Sequence, residues 1–509
     1  MKPIAIFLAL LTVLGGPALA AETKRPNLIL VFADDLGWKD VGYQGSDFYE
    51  TPRLDALAKE GMVFSSAYAA AGNCAPSRAC LLSGNYTLRH HVYAVGSTDR
   101  GPKAAQRLVP IPNKDGLAKE NVTLAEALKA AGYVTGHFGK WHLAGKDGAR
   151  PTEQGFDVSF DSFGDGEVKE GSEGNKAGPP EDPKGVFTLT RKACEFIAAN
   201  QKRPFFCYLA HHAIHTPLQG RPETQARFRA KTPGAQHNAV LYAACTYDLD
   251  ASVGLLLDKL RELNLEKDTL LVFTSDNGGT QASSQEPLRG NKGCYYEGGI
   301  REPFIARWPG VIQPGSRCDV PVINVDLYPT FLAAAGAPTP AGKLLDGENL
   351  LPLLQQSGGL RRQAIFWHFP GYLDKPVIRG RELDLRAGFR TRPVSVIRKG
   401  DWKLHLYHEE WQLDGGRERL ADNHAVELYH LGSDIGERVN LANSNTAKRD
   451  ELLGDLLAWQ KSVEALLPTE PNPKYDPASS GAAGGKQGQK KKRVLRCFRW
   501  NNAASPAGR

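Results

Sequence analysis

The chain has 509 residues, 41% of them hydrophobic and 23% charged, with a formal net charge of +7. These are globular values that exclude a disordered, collagen-like or coiled-coil protein, and at about 100–200 residues per domain they leave room for two to four domains. Residues 481–509 carry eight basic side chains and no acid, so the rest of the chain is near neutral and no nucleic-acid partner is expected.

The N-terminus reads as an export signal. Lys2 supplies a positive start, Ile4 to Leu14 is an apolar run, and Ala18-Leu19-Ala20 fits cleavage after Ala20. The run is shorter than the roughly 20 residues a bilayer span needs, and no later segment is read as a span. The mature protein is expected in the periplasm or outside the cell.

Strand then helix recurs along the next three hundred residues or so. Asn27-Leu-Ile-Leu-Val-Phe-Ala33 is a continuous apolar run, as in a parallel strand buried on both faces, and it ends in Asp34-Asp35. Thr51-Pro52 opens a helix that stops at Gly61, with Leu54, Leu57 and Ala58 on one face. Thr123 and Glu126 form a capping box for a helix closing at Gly132, and a strand follows from Tyr133 to Phe138. Phe205 to Ala210 is a buried strand ending in His211-His212. A long amphipathic helix carries Leu249, Val253, Leu256, Leu257, Leu260 and Leu263, and the strand Thr269 to Phe273 then leads to Asp276-Asn277. The polar clusters fall just past strand C-termini, where open α/β sheets bind ligands.

Beyond about residue 365 the texture changes. Val394 to Ile397, Trp402 to Tyr407 and Glu427 to Leu431 alternate like half-buried antiparallel strands, and a helix covers roughly 445–465. The predicted organisation is a signal peptide (1–20), a catalytic α/β domain (21–365), a small α+β domain (366–467) and a disordered basic tail (468–509). A basic loop from Gly371 to Arg392, with Lys375, Arg379, Arg381, Arg386, Arg390 and Arg392, joins the two domains and is expected to rim the substrate pocket. His405, His408, His424 and His430 are irregularly spaced and read as structural. Of the sequons at Asn85 and Asn121, the first adjoins a motif helix and is expected to carry no glycan.

Asp34, Asp35, Asp276 and Asn277 offer hard oxygen donors at two strand ends, a set that suits Ca²⁺ or Mg²⁺. Eight cysteines are scattered without a C-x-x-C pair, so a zinc site is not expected and disulfides stay unassigned. Cys74-Ala75-Pro76-Ser77-Arg78 places a cysteine after Asn73 near a helix N-terminus, with Arg78 one turn on. These residues alone fit either a buried structural cysteine or a thiolate nucleophile with His137 or His142 as base.

Cys74-Ala-Pro-Ser-Arg78 with Leu82-Ser-Gly84 resembles the C-x-P-S-R…L-(T/S)-G signature of type I sulfatases, Ser83 standing where Thr is commoner. Further landmarks of that family occur in order: Pro26-Asn27…Asp34-Asp35, Gly139-Lys-Trp-His142, His211-His-Ala-Ile-His215, Asp276-Asn-Gly278, Gly290-Asn-Lys292 and Tyr296-Glu-Gly-Gly-Ile-Arg-Glu-Pro303. Glu427-Leu-Tyr…Asp434…Glu437…Asn440-Leu441 adds one more near the end, and the similarity runs over about residues 24–465.

The resemblance implies an alkaline-phosphatase-like fold, a mainly parallel sheet flanked by helices with a smaller C-terminal α+β domain. It implies that a formylglycine-generating maturation enzyme oxidises Cys74 to Cα-formylglycine (3-oxoalanine). It implies one Ca²⁺ held by Asp34, Asp35, Asp276, Asn277 and residue 74, whose hydrated aldehyde attacks sulfur. By the same resemblance Arg78 steadies residue 74, Lys140 and Lys292 hold sulfate oxygens, His215 protonates the departing alcohol and His142 removes the proton that lets sulfate leave. His211 and His212 are possible substrate contacts. The implied activity is hydrolysis of sulfate monoesters on a sulfated small molecule or, better, a glycan. The alternatives are a phosphonate or phosphate monoester hydrolase of the same superfamily, an inactive sulfoglycan-binding relative, and a tail that adheres to a polyanion.

Overall fold

The computed structural model describes residues 25–161, 178–374 and 388–479. The signal segment, residues 480–509 of the basic tail, and Lys375, Arg379, Arg381 and Arg386 of the basic loop lie outside the described residues.

The predicted strands form the centre of one sheet. The strands β1 (Asn27–Ala33), β2 (Val134–Gly139), β3 (Phe205–Ala210) and β4 (Thr269–Ser275) run parallel in the spatial order β2-β3-β1-β4. Val158–Phe160 extends the sheet in parallel beyond β2, and Ile305–Arg307 pairs antiparallel with β4. The apolar run in β1 is continuous because both sheet faces are covered. Leu28, Leu30 and Phe32 enter one core with Leu81, Leu128 and Phe331, while Ile29, Val31 and Ala33 enter the other with Leu249, Val253 and Leu256.

Helices α1 (Pro52–Glu60), α2 (Cys74–Ser83), α3 (Leu124–Ala130), α4 (Val186–Asn200) and α5 (Val240–Glu262) cover those faces. The capping box of Thr123 and Glu126 forms as expected. In α2 all ten residues are buried, which marks it as a central helix rather than a surface one. Contrary to the sequence reading, α5 is long and apolar enough to cross a membrane, but 72% of its apolar window is buried inside the protein, as in a core helix.

The close packing of β2 on β3 yields a stability prediction. Gly139 has φ +107, and a Cβ there would lie 2.0 Å from the carbonyl oxygen of Ala210. The next residue, Lys140, donates its backbone N–H to that same oxygen at 2.8 Å. Gly139→Ala is expected to cost about 3 kcal/mol through positive φ and overpacking, read from denaturant unfolding. An unchanged midpoint would contradict it.

The C-terminal strands β5 (Ala364–Phe369), β6 (Val394–Lys399), β7 (Trp402–Tyr407) and β8 (Val426–His430) form an antiparallel sheet, and α6 (Thr446–Ser462) packs on it. The sheet is covered on both sides rather than half-buried. Ile397, Leu404, Leu406 and Leu428 pack toward Leu452, Leu453 and Leu456 of α6, while on the other face Lys403 and His405 are buried against Glu437 and Lys403 also reaches Glu297 of the catalytic domain. Past Pro468, where disorder was expected, the chain follows residues 104–109 as far as residue 479. Val109 N–H donates to Glu470 O, Asn472 N–H to Arg107 O and Asp476 N–H to Ala104 O.

Candidate active site

The C-terminal ends of β1 and β4, the start of α2 and three loops meet at Cys74. Cys74 is the first residue of α2 and is 1% exposed. Its Sγ lies 3.4 Å from Asp34 Oδ1 and 3.8 Å from Asp35 Oδ1, and Lys292 Nζ donates to it at 3.0 Å. Burial and the nearby Asp276 carboxylate push the thiol well above its ordinary range, so the unmodified side chain stays protonated and is a poor nucleophile.

Asp35 has φ +68, a conformation uncommon for a non-glycine residue, and it is pinned there. Its own N–H donates to Asp276 Oδ1 at 3.1 Å, and the next N–H, of Leu36, donates to Ser275 Oγ at 3.0 Å. Asp34 exchanges backbone hydrogen bonds with Ala213 and Ile214, which ties the histidine loop to the end of β1.

Three cations answer the three carboxylates. Lys140 Nζ is 2.7 Å from Asp34 Oδ2, Lys292 Nζ is 2.6 Å from Asp35 Oδ1, and Arg78 Nη2 is 2.8 Å from Asp276 Oδ2. A second Arg78 nitrogen, Nη1, donates to the Lys140 carbonyl at 3.0 Å. Burial opposes ionisation of Asp34, yet Lys140, His215, Arg78 and Lys292 together hold it well below the usual carboxylate range. Burial and the Asp34 charge push Asp276 the other way, up to about 7.

The donor set fits a hard cation. Ligand atoms of Asp34, Asp35, Cys74 and Asp276 lie within 4.8 Å of one another. Asn277 Nδ2 donates to Asp35 Oδ1, while Asn277 Oδ1 and Asp35 Oδ2 are buried without a hydrogen-bond partner among the described residues. Two orphaned buried oxygens beside three carboxylates suit Ca²⁺, which takes six to eight oxygen ligands.

The histidines separate into two groups. His215 is at the site, with Nε2 3.8 Å from Asp35 Oδ2 and Nδ1 2.6 Å from Thr216 O. Burial and the Lys292 ammonium push it down to about 4, so it is neutral at pH 7. His142, with φ +64, is buried with neither ring nitrogen holding a hydrogen-bond partner among the described residues. Burial and Lys140 hold its pKa well below the ordinary value, a neutral imidazole able to accept a proton.

His211 and His212 do not join them. His211 is fully buried with Nε2 3.4 Å from Thr190 Oγ1 of α4, and His212 Nε2 lies 2.8 Å from Asp161 Oδ1. Each meets a protein partner through its Nε2, whereas the Nε2 of His215 faces Asp35. His137 belongs to the core, its ring set among Trp141, Phe156 and Tyr208, with Nδ1 3.0 Å from Ser159 Oγ.

The basic loop also divides. Arg390 lies against the site, its Nη1 donating to Lys292 O at 3.1 Å. Arg392 is buried and paired with Glu409 and Glu410 at 2.5 and 2.7 Å, and with Arg390, Tyr296 and His405 it lines a pocket between the basic loop and the C-terminal sheet. Asn85 is 5% exposed and donates to Leu344 O at 2.8 Å, which leaves no room for a glycan.

Comparison with known proteins agrees with this geometry. The family model described as Sulfatase matches residues 26–337, and one described as N-sulphoglucosamine sulphohydrolase, C-terminal, matches residues 290–386. Arylsulfatase A of Homo sapiens is 34% identical over 484 residues, covering 86% of this chain and 88% of the relative. A protein of Formosa agariphila named "Sulfatase" is 32% identical over 501 residues, covering 84% and 86%. The solved structure of Ps i-CgsB in complex with k-i-k-neocarrahexaose superposes with a TM-score of 0.68 at 29% identity, covering 93% of this chain and 98% of that one.

Proposed function

The chain belongs to the sulfatase family of sulfuric ester hydrolases, and from that premise we propose that it is an exported, calcium-dependent enzyme that removes sulfate from a sulfated carbohydrate. The observation that carries this reading is the packing of Cys74, Lys140, Lys292 and Arg78 around the carboxylates of Asp34, Asp35 and Asp276. The sugar substrate is taken from the oligosaccharide named with Ps i-CgsB, and export from the N-terminal signal.

We assign residue 74 to the formylglycine form, which supplies a hydrated aldehyde with one hydroxyl to attack sulfur and a second whose deprotonation expels sulfate. Ca²⁺ held by Asp34, Asp35, Asp276 and Asn277 supplies charge that acidifies a hydroxyl and neutralises sulfate oxygens. Arg78 reaches Asp276 and the Lys140 carbonyl from inside the protein, fixing the ligand side of the site. Lys140 and Lys292 present fixed ammonium groups to sulfate oxygens, where charge gathers in the transition state. We assign to His142, buried with its pKa held low, the role of the base that takes the proton releasing sulfate.

His215 is neutral in the free site, so its acid role requires the bound sulfate anion to raise its proton affinity. A consequence separates an acid from a mere contact. His215→Ala is expected to slow sugar sulfates, which have poor leaving groups, by about 10²–10⁴-fold in kcat, and activated aryl sulfates by far less. Equal losses on both substrates would remove the acid role.

The reading is tested by measuring sulfate release from an aryl sulfate and from sulfated oligosaccharides, with calcium, on protein matured in its host. Aryl phosphate and phosphonate monoesters are run in parallel. Turnover of the phosphorus esters with the sulfate esters untouched would replace this proposal by the hydrolase alternative; no turnover by fully matured protein would favour the binding relative.

A further inference from the structure

Lys292 sits on a loop whose two ends are held by one residue of the C-terminal domain. At its start, Arg289 Nη1 donates to the backbone carbonyl of Glu437 at 3.0 Å. At its end, the backbone N–H of Glu297 donates to Glu437 Oε2 at 2.7 Å. The loop closes on itself where Gly298 N–H donates to Arg289 O at 2.8 Å. Its middle touches the site twice more, Lys292 N–H donating to Gly279 O at 2.9 Å and Gly293 N–H to Gly72 O at 2.7 Å. Gly72 lies two residues before Cys74, and Gly279 two residues after Asn277.

Glu437 is itself locked. Its Oε1 takes Lys403 Nζ at 3.0 Å and lies 3.2 Å from His405 Nε2. Lys403 Nζ bridges on to Glu297 Oε1 at 2.9 Å, and Glu297 Oε2 takes Arg301 Nη1 at 2.9 Å. Glu437, Lys403 and Glu297 are all 0% exposed. Ion pairs this deep pay desolvation, and apolar packing of the same volume is often at least as stable. Both Glu437 oxygens act as acceptors, so an amide cannot take its place without turning a donor toward a donor.

We infer that Glu437, locked by Lys403, is a positioning residue for Lys292, the clamp by which the C-terminal domain sets the distance between that ammonium and residue 74. The inference rests on the sulfatase reading above, in which Lys292 holds a sulfate oxygen. It adds a function to the C-terminal sheet, which contributes no group to the reacting centre.

The test is a double-mutant cycle on kcat/KM for an aryl sulfate, with wild type, Glu437→Gln, Lys292→Ala and the pair. Glu437→Gln alone is expected to lower kcat/KM about 10- to 100-fold, the scale of a misplacement near 1 Å. Added to Lys292→Ala it is expected to cost less than about threefold, because the group it positions is already gone. A merely structural role does not give that saturation. The full loss reappearing in the Lys292→Ala background, or a folded Glu437→Gln variant with wild-type turnover, overturns the inference. Lys403→Met, taken through the same cycle, decides the matter where Glu437→Gln does not accumulate as folded protein. Absence of sulfate-ester turnover in the wild type would instead strike the functional reading.

Discussion

Cys74→Ala is expected to lower kcat for sulfate esters by at least about 10⁴-fold while leaving the protein folded, the scale seen when a covalent nucleophile is removed. Alanine is the best helix former, and position 74 opens α2, so the helix loses little. The loss is chemical. Burial and the nearby Asp276 carboxylate push the thiol well above its ordinary range, which disfavours a thiolate route. Lys292 donates to the sulfur at 3.0 Å but is shared with Asp35 at 2.6 Å, and Lys140 is paired with Asp34 at 2.7 Å, so the two ammonium groups offset that burial only in part. Conversion to the aldehyde removes that obstacle, and peptide mass spectrometry across residue 74 is expected to read about 18 Da below cysteine on active protein. Full activity with an unmodified thiol, or undiminished activity in Cys74→Ala, contradicts the assignment.

Most of this site was legible because open α/β sheets place ligands at strand ends, and its residues mark those ends in the chain. Asp34 and Asp35 follow an apolar strand, Asp276 and Asn277 follow another, and the structure brings both pairs to Cys74. The histidine loop was readable as a cluster but not residue by residue. His211, His212 and His215 lie within five positions, and only the turn after β3 decides that His215 faces Asp35 while His211 meets α4 and His212 meets Asp161. The ion pairs of Arg392 were hidden for a related reason: a basic residue in a basic stretch looks solvated until its Glu409 and Glu410 partners fold over it. The clamp at Glu437 was present as a family landmark without a role. Lys403 alternates with apolar Leu404 and reads as a solvent-facing residue, because sequence shows that a strand has two faces but not that both are covered.

Stripping the metal with a chelator is expected to lower turnover by at least about 10²-fold, several kcal/mol of transition-state charge stabilisation, and to be reversed by added Ca²⁺. The argument begins with charge. Asp34, Asp35 and Asp276 are all fully buried, and their neighbours Arg78, Lys140 and Lys292 reach one carboxylate oxygen each at hydrogen-bond distance. The oxygens left over, Asp35 Oδ2 and Asn277 Oδ1, have no hydrogen-bond donor among the described residues. Buried acceptors of this kind cost about 1–3 kcal/mol apiece when unmet, so an ion that meets them also holds the fold together. Bound calcium at 100 times its dissociation constant adds about 2.7 kcal/mol, so the thermal midpoint is expected to fall with the chelator and return with the ion. Mg²⁺ demands near-ideal octahedral geometry and keeps its water, so it is expected to restore less of either property. Asp276→Asn removes a ligand charge and frees Arg78 at once, and is expected to abolish the calcium response of both turnover and midpoint. A chelated protein that keeps its turnover and its midpoint would show that these four residues hold no ion the enzyme needs.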